Sequence, residues 1–242
     1  MIKEIIGIVI SETNYKESSK IIKIITKEGL VSIIAKGSRK LKSDLRISTT
    51  KLTYGTFNVY YKEDSLSTLT SVDIIDNFKN IKKDITKISY ASYLLDLAVQ
   101  VIKQNNNADI FNLLVDSLKK IDENFDPMII TNILELKYLD YLGVMPIIDE
   151  CSICGSKTSI ATISGRDGGY ICNNCLTNQK LVDEKTIKII RMFCYVDISK
   201  ISKLEISDKV KLEINTFLNE YYDKYTGLYL KTKDFLKNLS KL

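Results

Sequence analysis

The first 75 or so residues carry their apolar positions in short runs separated by polar connectors. IIGIVI (5–10), KIIKIIT (20–26), LVSIIAKG (30–37), FNVYY (57–61) and LSTLTSVDII (66–75) are rich in Ile, Val, Tyr and Thr, and SETNY, KEG and KEDS lie between them. β-Branched residues with partial period-two alternation predict strands, and the runs are too short for an amphipathic helical stripe. Five strands in so short a stretch predict a small closed barrel. After Asn77 the spacing lengthens to three and four. Segments 89–104, 108–121, 127–144, 183–198 and 210–227, with a short piece at 230–239, predict helices. Pro127 suits a first helical turn, Gly143 and Pro146 end the third helix, and Asp183 and Asp208 are placed as caps. The predicted fold class is α+β: a five-stranded OB-type β-barrel over residues 1–78, then a mostly α-helical domain over residues 79–242 that abuts it.

One segment breaks the helical pattern. Cys151, Cys154, Cys172 and Cys175 form two C-x2-C pairs with 17 residues between them. Each pair closes a tight turn that points two thiolates at one ion, and two turns complete a tetrahedron, so the spacing predicts one structural zinc in a module at about 150–178. Gly155 stands where such a turn needs positive φ, and Gly165, Gly168 and Gly169 supply the turn of an intervening hairpin. Two disulfides would need an oxidising compartment, yet the first 25 residues lack an apolar core with a cleavage site; a cytoplasmic chain is expected. A redox pair needs only one C-x-x-C. A catalytic zinc keeps an open position and commonly uses His, which this chain lacks entirely. Cys194, in the apolar run IIRMFCYV, is read as a buried small hydrophobe.

Charge adds a location. Lys and Arg outnumber Asp and Glu by 35 to 30 over the chain, and the stretch 36–51 alone holds Lys36, Arg39, Lys40, Lys42, Arg46 and Lys51 against Asp44. That local excess of five equals the excess of the whole chain. A small barrel with a basic loop between its third and fourth strands is one way to hold single-stranded nucleic acid, with Tyr54, Phe57, Tyr60 and Tyr61 as nearby stacking candidates. Strand alternation sends some of these rings into the core, and a cluster of lysines on a solvated loop is also ordinary. No phosphate-binding loop, dinucleotide fingerprint or nucleophile elbow is present, no stretch is long and apolar enough to span a membrane, and the pairs Asp122–Glu123 and Asp149–Glu150 suit helix ends. The residues point to a non-enzymatic nucleic-acid-binding protein. Two rivals stay open: an RNA-binding zinc-ribbon protein of translation or transcription, and a zinc-dependent thiol oxidoreductase.

Several stretches together resemble the bacterial RecO family of recombination mediators. GIVI (7–10), YKESSKIIKIIT (15–26) and GLVSIIAKG (29–37), with Ser38, Arg39 and Lys40 following, are similar to its N-terminal barrel. YLDYLGVMP (138–146) running into Cys151, Cys154 and Gly155, then Gly168 and Gly169 before Cys172 and Cys175, is similar to its helix and zinc module; LYLKTKDFLKNL (228–239) fits its C-terminal pattern. The resemblance implies DNA repair in the RecF pathway. It implies binding of single- and double-stranded DNA, annealing of complementary strands, contact with the acidic C-terminal tail of single-strand-binding protein, and help, with RecR, in loading RecA. It also implies a nucleoid-associated place in the cytoplasm. Lys36, Arg39 and Lys40 match the family's basic loop as candidates for DNA contact; Lys42 and Arg46 join them on charge and proximity.

Overall fold

Ile, Val and Thr dominate the N-terminal runs, and in the computed structural model these runs become strands; residues 1–230 other than 64, together with 232, 233 and 236, are described. The strands are β1 (Ile2–Tyr15), β2 (Ser19–Thr26), β3 (Gly29–Ala35), β4 (Tyr54–Tyr60) and β5 (Ser67–Asp76), with a one-turn helix α1 (Leu45–Ser48) before β4. They close into a barrel in the order β1-β2-β3-β5-β4. Every pairing is antiparallel except β3 with β5, which meet in parallel only at Ile33–Ser67 and Ile34–Thr68. Alternation sends Val9, Ile22, Ile24, Ile33, Ala35, Phe57, Val59 and Leu69 inside, where all are buried. Gly7 is needed at the β1–β2 crossing, since a Cβ there would lie 2.5 Å from the Ile25 carbonyl oxygen.

The opposite faces of the same strands serve a second core. Ile8 and Ile25, joined by Leu52 from the segment before β4, pack with the helices, and Tyr54 stands edge-on to Phe111 with ring centroids 6.2 Å apart. The helices are α2 (Ile85–Gln104), α3 (Ala108–Asp122), α4 (Pro127–Tyr141), α5 (Glu184–Tyr195) and α6 (Asp208–Tyr225). Asp84, Asn107, Asp126 and Asp183 cap the first four, each accepting from a backbone N–H of the first turn. Helix α4 runs through the middle with every residue from 129 to 136 buried. Its one buried carboxylate, Glu135, accepts from the Tyr93 hydroxyl and lies 3.3 Å from Lys233 Nζ. The connection to the barrel is fastened by Asp122, whose Oδ1 accepts from the backbone N–H groups of Asn80 and Ile81, each at 2.8 Å.

Between α4 and α5 lies the cysteine module, a small sheet of β6 (Ile147–Cys151), β7 (Ile160–Ser164) and β8 (Gly169–Cys172) in the order β6-β8-β7. No described helix is long and apolar enough to cross a membrane.

Three expectations need correcting. SETNY is not a connector: after a bulge between Val9 and Ser11, residues 11–15 pair with β2 as far as Ser19, and only residues 16–18 turn the chain. This stretch of β1 runs past its pairing with β4, and its residues 11–14 are exposed, so no buried face of β1 imposes an alternation that could be read. The basic loop is not all loop, since α1 interrupts it; four residues are too few to leave a period. Asp208 is the first residue of α6 rather than its cap, which is Ser207, and it pairs instead with Lys211 at 2.8 Å. Most of the piece expected at 230–239 lies outside the described residues.

Candidate functional site

The fold brings all four paired cysteines to one point. Cys151 ends β6, and the chain turns back at once: Gly155, with φ +72°, donates its N–H to the Cys151 carbonyl at 2.9 Å. Cys172 ends β8, and Cys175 closes a single 3-10 turn over Asn173–Cys175. The four sulfurs lie within 4.8 Å of one another, with Cys154 Sγ 3.6 Å from Cys172 Sγ. Cys151 and Cys172 are buried, Cys175 is half-buried and Cys154 is exposed.

The electrostatics of the group suit a cation. Burial pushes the Cys151 thiol up, but backbone N–H groups of Cys154, Cys172 and Ile153 converge on its sulfur and bring it down to about 6. The neighbouring Cys154 sulfur, with burial and the other two sulfurs, holds the Cys175 thiol up at about 12. Four sulfurs this close do not all ionise without a positive charge among them, and four thiolates are the donor set of a closed tetrahedral site. The cluster can therefore hold one metal ion. Cys194 is not part of it: it packs half-buried against the helical core, where burial pushes its thiol up to about 11.

The five cations proposed for DNA contact are all exposed, but they do not share one surface. Lys36 and Lys40 line a groove of about 810 Å3 on the barrel, with Tyr15 from the end of β1, Lys16 from the β1–β2 turn and Lys62 from the β4–β5 loop. Lys42 lines a separate hollow beside Asp44 and Thr70. Arg46 sits on α1 and lines neither. Arg39 reaches sideways, its Nη1 donating to the carbonyls of Lys16 at 3.3 Å and Glu17 at 3.2 Å. Lys51 faces the helices and donates to Ser92 Oγ at 3.1 Å; burial lowers its amine below the ordinary value although Asp96 opposes this.

Lys16 and Lys62 are the groove cations that sequence reasoning missed. The signal was available, because the two loops flanking the strand 2–3 face of an OB-type barrel are where ligands are usually held. Among the aromatics, Phe57 is spent on the barrel core and Tyr54 on the helices, whereas Tyr60 and Tyr61 are exposed and Lys3 Nζ lies 3.6 Å from the Tyr61 ring centroid.

A second groove, of about 630 Å3, runs between the β7–β8 turn, residues 178–182 and α6. Buried Ile163 and Phe217 line it, exposed Leu181 and Leu212 stand on its lip, and Arg166 and Lys180 add positive charge. Two of its acids are already engaged. Asp167 accepts from Ser164 and Gln179, and Glu213 accepts from Thr186 Oγ1 and the Asp183 N–H.

Comparison with known proteins agrees with this architecture. The family profile described as Recombination protein O N terminal matches residues 1–78, and the one described as Recombination protein O C terminal matches residues 82–234. A DNA repair protein RecO of Listeria innocua is 34% identical over 240 residues, covering 97% of this chain and 94% of that protein. A DNA repair protein RecO of Bacillus mycoides is 34% identical over 246 residues, covering 100% and 99%. A third, of Bacillus pumilus, is 34% identical over 241 residues, covering 98% and 94%. With both family profiles matched and these relatives 34% identical along almost the whole length, this chain belongs to the RecO family of DNA repair proteins.

Proposed function

We propose that the protein is a non-enzymatic recombination mediator of the RecF pathway, which binds and anneals single-stranded DNA and, with RecR and single-strand-binding protein, helps RecA onto gapped DNA. The observation that carries the DNA-binding part is the barrel groove, where Lys16, Lys36, Lys40 and Lys62 converge with no acidic residue among its described lining residues. Cations so placed neutralise phosphates, release condensed counterions and let two strands approach without their full repulsion. Recognition through phosphates predicts weak sequence preference and strong salt dependence. Duplex DNA offers the same phosphates and binds the same cations.

The partner side belongs to the helical region. A tail that ends in apolar residues and a carboxylate needs a hydrophobic trough with a cation beside it, and the groove under Leu181 and Leu212 with Arg166 and Lys180 offers that chemistry to the acidic tail of single-strand-binding protein. One zinc ion held by Cys151, Cys154, Cys172 and Cys175 would act as a cross-link that fixes the module forming one wall of this groove.

Titration of the full chain with labelled oligothymidine at several salt concentrations tests the DNA reading. Replacing Lys36 and Lys40 by Gln should make the slope of log affinity against log salt shallower by about 1.4, at about 0.7 for each single-strand phosphate no longer neutralised. An unchanged slope would move the DNA surface off the barrel. In parallel, Leu212→Glu should abolish saturable binding of the tail peptide while leaving that slope alone.

A further inference from the structure

We infer that Arg39 is a positioning residue: it clamps the β1–β2 turn so that Lys16 faces the barrel groove, and Lys16 rather than Arg39 meets the phosphate. The inference rests on reading the groove as the DNA site, and it reverses the role that the family resemblance implies for Arg39.

The β1–β2 turn is three residues, 16–18, none of them buried, and it follows the exposed stretch 11–14 of β1, so no buried side chain of the turn holds it in place. Lys16 itself adopts φ +52°, a left-handed conformation uncommon for a residue with a side chain. Such a conformation persists only where surrounding bonds enforce it, and it is frequent where a binding site needs it. The bonds here come from the basic loop. Arg39 N–H donates to the Ser18 carbonyl at 2.9 Å, Arg39 Nη1 reaches the carbonyls of Lys16 and Glu17, and the Gly37 N–H meets Ser19 Oγ at 3.3 Å. One side chain thus holds two successive carbonyls of the strained turn, including that of Lys16. Lys16 lines the groove; Arg39 does not.

The chemistry of the two cation types makes this testable. A guanidinium presents several N–H groups in a fixed plane and can hold adjacent carbonyls while keeping its charge, whereas an ammonium on a flexible stem keeps the charge and loses the fork. Arg39→Lys therefore separates clamping from phosphate binding. With the full chain and oligothymidine, Arg39→Lys and Lys16→Gln should each make the salt slope shallower by about 0.7, the value of one neutralised single-strand phosphate. The double variant should be no shallower than either single one, because both changes remove the same ion pair. Amide exchange at residues 16–18 of the DNA-free protein should quicken in Arg39→Lys, which the absence of a phosphate ion pair alone would not cause.

Wild-type slope and wild-type exchange in Arg39→Lys would overturn the clamp, and so would additive effects in the double variant. Lys36→Gln tests the groove separately from the clamp. If it leaves the slope unchanged, the groove is not the DNA site and the clamp falls with it; if it flattens the slope while Arg39→Lys does not, only the clamp falls.

Discussion

The barrel and the cysteine module are both small β-structures on one chain, yet they are held together by opposite means. The barrel's strands run up to 14 residues, close on themselves, and enclose eight buried side chains of their own. The module's strands are five, five and four residues long, and β6 meets β8 at only two positions, Ile147–Gly169 and Cys151–Tyr170. Its buried Ile148, Ile163 and Tyr170 belong to the core of the helices rather than to a core of the module. A sheet this short does not stand alone. Closure by backbone pairing leaves the barrel's loops free to carry lysines that do nothing for the fold, whereas the module gathers four thiols at one point that can hold a metal ion.

The largest effect expected from this contrast is that of removing the zinc proposed for the module. Structural zinc contributes roughly 10 to 16 kcal/mol of apparent binding energy in small modules, far more than any single side chain packed in the barrel. Cys154→Ser, or treatment with a strong chelator, should free residues 150–178 to exchange their amides while β1–β5 stay protected. Acid should act in the same direction, because each thiol must lose its proton to bind: metal affinity falls as pH falls, and Cys175, at about 12 without a cation, makes proton release on binding measurable. Metal analysis finding no zinc in chelator-free protein would remove the contrast altogether.

The reverse perturbation is smaller. Phe57 is fully buried inside the barrel, and Phe57→Ala should cost about 3 to 5 kcal/mol, read as a lowered denaturation midpoint. Zinc content should stay at one ion per chain. Loss of the metal in this variant would mean that barrel and module share one cooperative unit through the common helical core.

Much of this contrast was legible in the residues. Strand and helix types were readable because β-branched runs and three-four spacing are dense, and the four cysteines were readable because their ligand geometry is local: each pair needs only its own turn. The groove was not. Lys16 and Lys62 stand 46 residues apart on loops that meet only when β3 and β5 close the barrel, through two residues of parallel pairing that no local pattern announces. The place of Arg39 was hidden for a related reason. Composition counts its charge, but the carbonyls it holds belong to a turn whose position depends on residues 11–15 being strand. The buried Glu135 was hidden likewise, since Tyr93 and Lys233, which satisfy it, come from distant parts of the chain.

The smallest and sharpest expected effect concerns the end of the module away from the sulfurs. Cys172 ends β8, whereas the β7–β8 turn lies at the strand's other end and rests on α6. A Cβ on Gly165 would meet Phe217 O and Glu220 Cβ, each at 2.6 Å, and Tyr221 N at 2.9 Å. Two of these atoms are helix backbone and cannot rotate aside, so Gly165→Ala must lift the turn from α6. The hydrogen bond from the Tyr225 hydroxyl to the Arg166 carbonyl at 3.1 Å is strained with it. Overpacking of this kind costs about 1 to 3 kcal/mol. The variant should keep its zinc and its DNA salt slope, lose part of its thermal stability, and weaken tail binding in the groove that the same turn borders. If tail binding survives unchanged while the melting temperature drops, the turn props the fold alone and the tail sits elsewhere on the helices.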